Sequence, residues 1–342
     1  MIRDQDYRGA SEGVMLQLEE ADVQAAYSRI KSLVHETPVF SSQALNQLLG
    51  CDVIFKGEHL QLGGAFKARG ATNMVYAQPG PELASGVCTH SSGNHGAALA
   101  RAARARGVAA HIVMPKNASP IKRRLVGYFG GHLTECGNSL EEREKILKAV
   151  ADSTGALYVP PFDAPLIIAG QGTALLEFKG QTPKLDAVVV PVGGGGLLAG
   201  CCLVQDRPLV YGAEPEGASD AARSFATGER VLAHTPNTIC DGLQTTLGVL
   251  NFEIIKRGVT DILTAPDADT IFAMQLIWQF TKQWVEPSSA VALSVVMRHR
   301  SVFVGKRVGI ILTGGNVDLD RLGPLLLNSQ QIDHGIASLT HH

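Results

Sequence analysis

The stretch DAVVVPVGGGGLLAG, residues 186–200, decides the architecture. Its β-branched run Val188, Val189 and Val190 reads as a strand buried on both faces. That strand delivers Gly193, Gly194, Gly195 and Gly196 directly into an apolar helix beginning near Leu197. One glycine would suffice for a tight strand-to-helix connection. Four in succession let backbone N–H groups converge on one point, at the positive end of a helix dipole. The guest that suits such a nest is a phosphate. The Lys-Ser/Thr pair of a nucleotide P-loop and the G-x-G-x-x-G spacing of a dinucleotide site are both missing.

On either side of this stretch, short β-branched runs alternate with helical patterns. DVIFKGE, GVCTH, AHIVMP, HLTECG, ALYVP, LVYGAEP and RVGIILTGG read as further strands, and segments such as SLEEREKILKAVADS carry apolar residues at helical spacing. This predicts an α/β protein with mostly parallel, buried strands, whose ligands bind at the carboxyl ends of those strands. Two Gly/Pro-rich points, near residues 77–86 and 159–165, bracket four of the alternations. They predict a small domain over 81–163 inserted into a larger, discontinuous one over 1–80 and 164–330, with a tail over 331–342. The first 15 or so residues and those after Leu327 are expected to be loosely ordered.

Of the 342 residues 45% are hydrophobic and 18% charged, and the net charge is −2. Lys and Arg are scattered, so neither a nucleic-acid nor an anionic-membrane partner is indicated; a small molecule is. No secretory signal and no run of about 20 apolar residues is visible, which predicts a soluble cytoplasmic protein. Cys51, Cys88, Cys136, Cys201, Cys202 and Cys240 lack Cys-x-x-Cys spacing, against a zinc site or a redox pair.

Three other stretches carry chemistry. In LGGAFKARGA, Lys67 follows two glycines and Phe66, a setting in which a desolvated amine would lose its charge and become a nucleophile; most lysines are instead solvated surface charges. In THSSGNHGAALA, Ser91, Ser92, Asn94 and His95 surround a glycine at the mouth of an Ala-rich helix, where Ser and Asn also serve as ordinary caps. In GIILTGGNVD, Thr313 ends an apolar strand and would project into the same cleft.

Taken in order, the F-K-x-R-G-A context of Lys67, SSGNHG, IAGQGTALLE, GGGG, GAEPEGASD, WVEPSSAV and TGGNVD resemble the pyridoxal-phosphate enzymes of fold type II. The resemblance is strongest to the threonine/serine dehydratase and serine racemase group and runs from about Glu20 to Leu325. It implies a tryptophan synthase β-like fold of two open α/β domains, with pyridoxal 5'-phosphate in the cleft between them. It also implies that Lys67 holds the cofactor aldehyde covalently, that Gly193, Gly194, Gly195 and Gly196 hold its phosphate, that Asn94 bonds the ring hydroxyl, and that Phe66 and Glu286 lie near the ring. Thr313 would face the ring nitrogen, a hydroxyl that leaves the cofactor a restrained electron sink and so favours elimination.

By the same resemblance Ser91, Ser92, Asn94 and His95 grip the substrate's α-carboxylate, and Arg143 and Thr245 are candidates for its side chain. Ser92, on the ring face opposite Lys67, would be the second base of a racemase. Glu214, the carbonyl of Ala218 and Asp220 resemble a site for Mg²⁺ or Ca²⁺, which take oxygen ligands. A homodimer or homotetramer is implied too. Two positions depart from the family pattern: Ala65 replaces a serine near the phosphate, and Phe162 replaces a polar contact found in the mammalian racemases. By the same resemblance, the regulatory domain of biosynthetic threonine deaminases, and with it feedback inhibition by isoleucine, is not expected. The expected activity is deamination of a β-hydroxy amino acid, L-threonine, L-serine or 3-hydroxyaspartate, to a 2-oxo acid and ammonia. Amino-acid racemisation and cofactor binding without turnover are the alternatives.

Overall fold

A computed structural model describes residues 18–326; the segments expected to be loosely ordered fall almost wholly outside them. Among the described residues ten strands form two sheets. In chain order they are β1 (Val39–Ser41), β2 (Asp52–Lys56), β3 (Val87–His90), β4 (Ala110–Pro115), β5 (His132–Cys136), β6 (Leu157–Tyr158), β7 (Ala187–Pro191), β8 (Leu209–Pro215), β9 (Asp261–Ala265) and β10 (Arg307–Ile311). A six-stranded sheet runs β1-β2-β10-β7-β8-β9 and a four-stranded sheet β5-β4-β3-β6. Every pair is parallel except β1 with β2.

The valine run behaves as its composition demands. Ala187 and Val189 point into one core with Phe55, Val308 and Ile310, while Val188 and Val190 point into a second with Val210 and Ile311. A strand lined by apolar side chains at both phases is stable only between two covered faces, and helices cover both. The small sheet has its own core, in which Ala97, Ala98, Ala100, Ala102 and Ala103 of the helix Asn94–Arg106 pack on Ile112 and Met114.

The central helix Pro165–Gln181 carries the IAGQG motif. A Cβ at Gly170 would come within 2.7 Å of the Gly70 Cα, and one at Gly172 within 2.6 Å of the Gly200 carbonyl oxygen. Glycines on this helix therefore admit the backbones of the Lys67–Ala77 helix on one side and the Gly196–Leu203 helix on the other. These are the helices that begin at the lysine and at the glycine loop. Among the described residues, no helix is long and apolar enough to cross a membrane, and all six cysteines are free and buried.

Candidate active site

The carboxyl ends of β3, β7 and β10 bring the singled-out residues together. Beyond β10, Thr313 is buried and its carbonyl accepts the Phe66 N–H at 3.0 Å, while Ala65 pairs with Gly314 in an antiparallel bridge. Lys67 is thereby set beside the end of β10. Its side chain is half-buried and its Nζ donates to the Pro161 carbonyl at 2.7 Å, over the Phe66 ring. Burial, with no counter-ion among the described residues, pushes the amine down to about 8, so a neutral, nucleophilic fraction exists near neutral pH.

The four glycines have a packing reason as well as a cradling one. A Cβ at Gly194 would come 2.4 Å from the Phe162 ring, one at Gly196 2.9 Å from the Phe162 carbonyl oxygen, and one at Gly193 2.9 Å from the Gly242 carbonyl oxygen. Gly195 has φ +91°, a conformation L side chains rarely adopt. Asn251, which the sequence did not single out, fixes the loop by donating from Nδ2 to the carbonyls of Gly194 at 2.7 Å and Phe162 at 3.2 Å.

Beyond β3, Ser91 folds the polar loop: its Oγ accepts the N–H groups of Gly93 and Gly96, both at 3.1 Å. The next helix starts at Asn94, and a helix start leaves its first N–H groups without intrahelical partners, so those of Asn94 and His95 are donors for a ligand. Ser92 is half-buried and its hydroxyl makes no hydrogen bond among the described residues. His95 is buried; desolvation, then the charge of Lys67, pushes it down to about 3, so the ring is neutral. Its Nε2 lies 3.3 Å from the Val159 carbonyl, which can only accept, and its buried Nδ1 has no partner. A neutral ring in that arrangement presents a lone pair at Nδ1, so the donors for a carboxylate are the loop's N–H groups and the Ser92 hydroxyl.

Asn94 Nδ2 donates to Glu286 Oε1 at 2.7 Å, and Asn316 Nδ2 donates to Asn94 Oδ1 at 2.9 Å. Glu286 is buried, and desolvation raises its pKa against the pull of Lys122. Arg143 is half-buried; one Nη donates to the Asn138 carbonyl at 2.9 Å and its Nε is enclosed without a partner. Its charge reaches His90, at the end of β3. Thr245 is exposed and lies just after the turn Asp241–Leu243.

The carboxylates expected to hold a cation lie between β8 and the helix Asp220–Thr227. Glu214 accepts the N–H groups of Ala221 and Ala222, each at 2.9 Å, and burial pushes it up to about 8. Among the described residues both Asp220 oxygens are buried without a hydrogen bond, and Oδ1 lies 3.3 Å from His234 Nε2. Ala218 is buried beside them in the chain. Among the described residues no three His, Cys, Asp or Glu side chains are grouped as metal ligands.

Residues 30–314 match the family model described as pyridoxal-phosphate dependent enzyme. The chain is 45% identical over 305 residues to a beta-hydroxyaspartate dehydratase of Paracoccus denitrificans, covering 88% of this chain and 97% of that protein. It is 42% identical to the L-threo-3-hydroxyaspartate ammonia-lyase of Saccharomyces cerevisiae, covering 89% and 95% of the two chains. Its fold is similar to the structure of maize serine racemase, with a TM-score of 0.87 at 38% identity over 93% of this chain and 99% of that one. The chain belongs to the pyridoxal-phosphate dependent enzymes, in the fold type II group of threonine/serine dehydratases and serine racemases.

Proposed function

We propose that this enzyme deaminates a β-hydroxy amino acid to a 2-oxo acid and ammonia, and that its substrate is a 3-hydroxyaspartate. The observation that carries the reaction is geometric: the Lys67 amine donates to the carbonyl of Pro161, whose neighbour in the chain, Phe162, lies against Gly194 and Gly196 of the four-glycine loop. The residues present fit pyridoxal phosphate: Gly193, Gly194, Gly195 and Gly196 for the phosphate, Lys67 for the aldehyde, Asn94 and Thr313 for the ring, Phe66 and Glu286 at its surroundings. When bound, the cofactor supplies an electron sink for bond breaking at the substrate's Cα. The loop's N–H groups and Ser92 bind the α-carboxylate, and Lys67 takes the Cα proton as general base. His95, neutral throughout, adds no competing charge.

Support for a second carboxylate comes from Arg143. It is a half-buried cation without an acidic partner among the described residues, and its free Nε is the geometry that pairs with a carboxylate. Two relatives named above act, by their names, on hydroxyaspartate. Ammonia and oxo-acid release from 3-hydroxyaspartate diastereomers, L-serine and L-threonine tests this. The expected result is preference for hydroxyaspartate, with Arg143→Met lowering kcat/KM at least about tenfold for that substrate and far less for serine, as loss of one ion pair requires. Equal turnover of all substrates by both proteins would contradict it. Racemisation is the second reading, supported by the unbonded Ser92 hydroxyl; it requires that Ser92→Ala abolish isomer exchange while deamination persists.

A hard cation between Glu214, the Ala218 carbonyl and Asp220 belongs to the same proposal. Two buried carboxylates lacking a full set of partners support it, since an ionised carboxylate offers about four acceptor positions. Chelation is expected to lower the melting temperature and Mg²⁺ or Ca²⁺ to restore it; an unchanged melting temperature under both treatments rejects the site.

A further inference from the structure

Lys122 stands on the helix Pro120–Tyr128, beside the four-stranded sheet, in the basic segment SPIKRR. Its side chain is nevertheless only 3% exposed. The ammonium reaches two acids on the six-stranded side: Nζ lies 2.9 and 2.7 Å from the two oxygens of Asp241 and 3.2 Å from Glu286 Oε2. A buried ammonium is costly unless paired, and this one is paired twice.

What its partners hold matters more than the pairing. Asp241 opens the turn Asp241–Leu243, whose Gly242 carbonyl backs Gly193 of the phosphate nest and whose Gly242 N–H donates to Ser288 Oγ at 2.9 Å. Glu286 stands immediately before the helix Pro287–Arg298 and accepts from Asn94 through its other oxygen. Between these contacts the lysine stem runs against the polar loop itself: a Cβ at Gly93 would come 2.8 Å from Lys122 Cδ. One side chain thus touches the substrate loop, the turn behind the phosphate nest and the carboxylate that holds Asn94.

We propose that Lys122 is a positioning residue that registers the 91–95 loop against Glu286 and the Asp241 turn, so that the carboxylate-binding donors and the cofactor nest are aligned as one unit. It acts through Gly93, Asn94 and Glu286 and does not itself take part in proton transfer. The role is independent of which amino acid is the substrate.

The test compares Lys122→Met, Lys122→Arg and Asp241→Asn with the wild type, each loaded with cofactor. Amide hydrogen exchange over residues 91–97 is measured without substrate, and kcat and KM with a turned-over amino acid. Lys122→Met is expected to speed exchange of that segment at least about tenfold while the helix Leu140–Thr154 is unchanged, because only the local opening is affected. KM is expected to rise at least about tenfold with a smaller fall in kcat, the mark of lost substrate positioning. Lys122→Arg restores part of both, and Asp241→Asn, whose side chain is 36% exposed and whose folding is little threatened, gives an intermediate effect. Unchanged exchange and KM in both Lys122→Met and Asp241→Asn overturn the proposal, as does faster exchange across the whole four-stranded side or an arginine variant no better than methionine. Should no amino acid be turned over, the reaction proposed above fails, while the exchange comparison still decides the role of Lys122.

Discussion

Lys67 and His95 show how two ionisable residues divide one site. Desolvation lowers both, but an amine starting near 10.5 arrives at about 8, within reach of neutral pH, whereas the imidazole arrives at about 3 and is uncharged near neutral pH. The sign follows: a lowered cationic pKa means the neutral, reactive amine accumulates as pH climbs through about 8, rather than through the ordinary lysine range. The rate of covalent capture of pyridoxal phosphate by cofactor-free protein should therefore rise between about pH 7 and 9 and level off above, as an amine with that pKa requires. A rate still climbing steeply above pH 10 would show an ordinary lysine. Little of this was legible in the chain. Lys67 stood out by its glycines and by family resemblance, and its loss of charge depends on walls, such as Pro161 and Phe66, that only the fold supplies. Lys122 was passed over for the complementary reason: its neighbours Arg123 and Arg124 make the segment look solvated, and its two acids lie more than a hundred residues away.

At the scale of elements, the helix that starts at Lys67 is fixed from behind by a buried charge network. Arg69 bonds Glu58 at 2.8 and 2.7 Å and Glu177 at 3.2 and 2.7 Å, and Lys56 also pairs with Glu177. All four side chains are nearly inaccessible, so the network joins β2, the turn Glu58–Leu60, the Lys67–Ala77 helix and the Pro165–Gln181 helix. Arg69→Met would leave two buried carboxylates facing one lysine. The expected cost is about 3–5 kcal/mol in urea unfolding, the range for breaking one partner out of a buried pair; a loss under about 1 kcal/mol would show that the network contributes no more than a surface pair. The strands were largely readable, because uninterrupted apolar runs in a parallel sheet are hard to mistake. The two that escaped are edge strands: β1 spans only Val39–Ser41, and β9 starts with an exposed Asp261 and mixes Thr264 into its run. An edge strand has one paired side and needs less apolar sequence. The GGGG reading also needed enlargement, since Phe162 and Gly242 exclude side chains there independently of any phosphate.

For the whole molecule, parallel topology brings distant stretches of sequence into contact. Asn94 meets Glu286, Glu286 meets Gly314 and Phe66 meets Thr313 through hydrogen bonds, and the adjacent residues Pro161 and Phe162 contact Lys67 and Gly194, so segments following β3, β7 and β10 are joined to the start of the lysine helix. The order of motifs announced that arrangement, but it did not reveal which residues lock the two sheets in register. The account's central claim is that Lys67 holds the cofactor covalently at this junction. The most direct test is to load the protein with pyridoxal phosphate, reduce it with borohydride, digest it and map the labelled peptide. One label is expected, on Lys67, absent from Lys67→Ala; a label on another lysine, or none, would contradict covalent binding at Lys67.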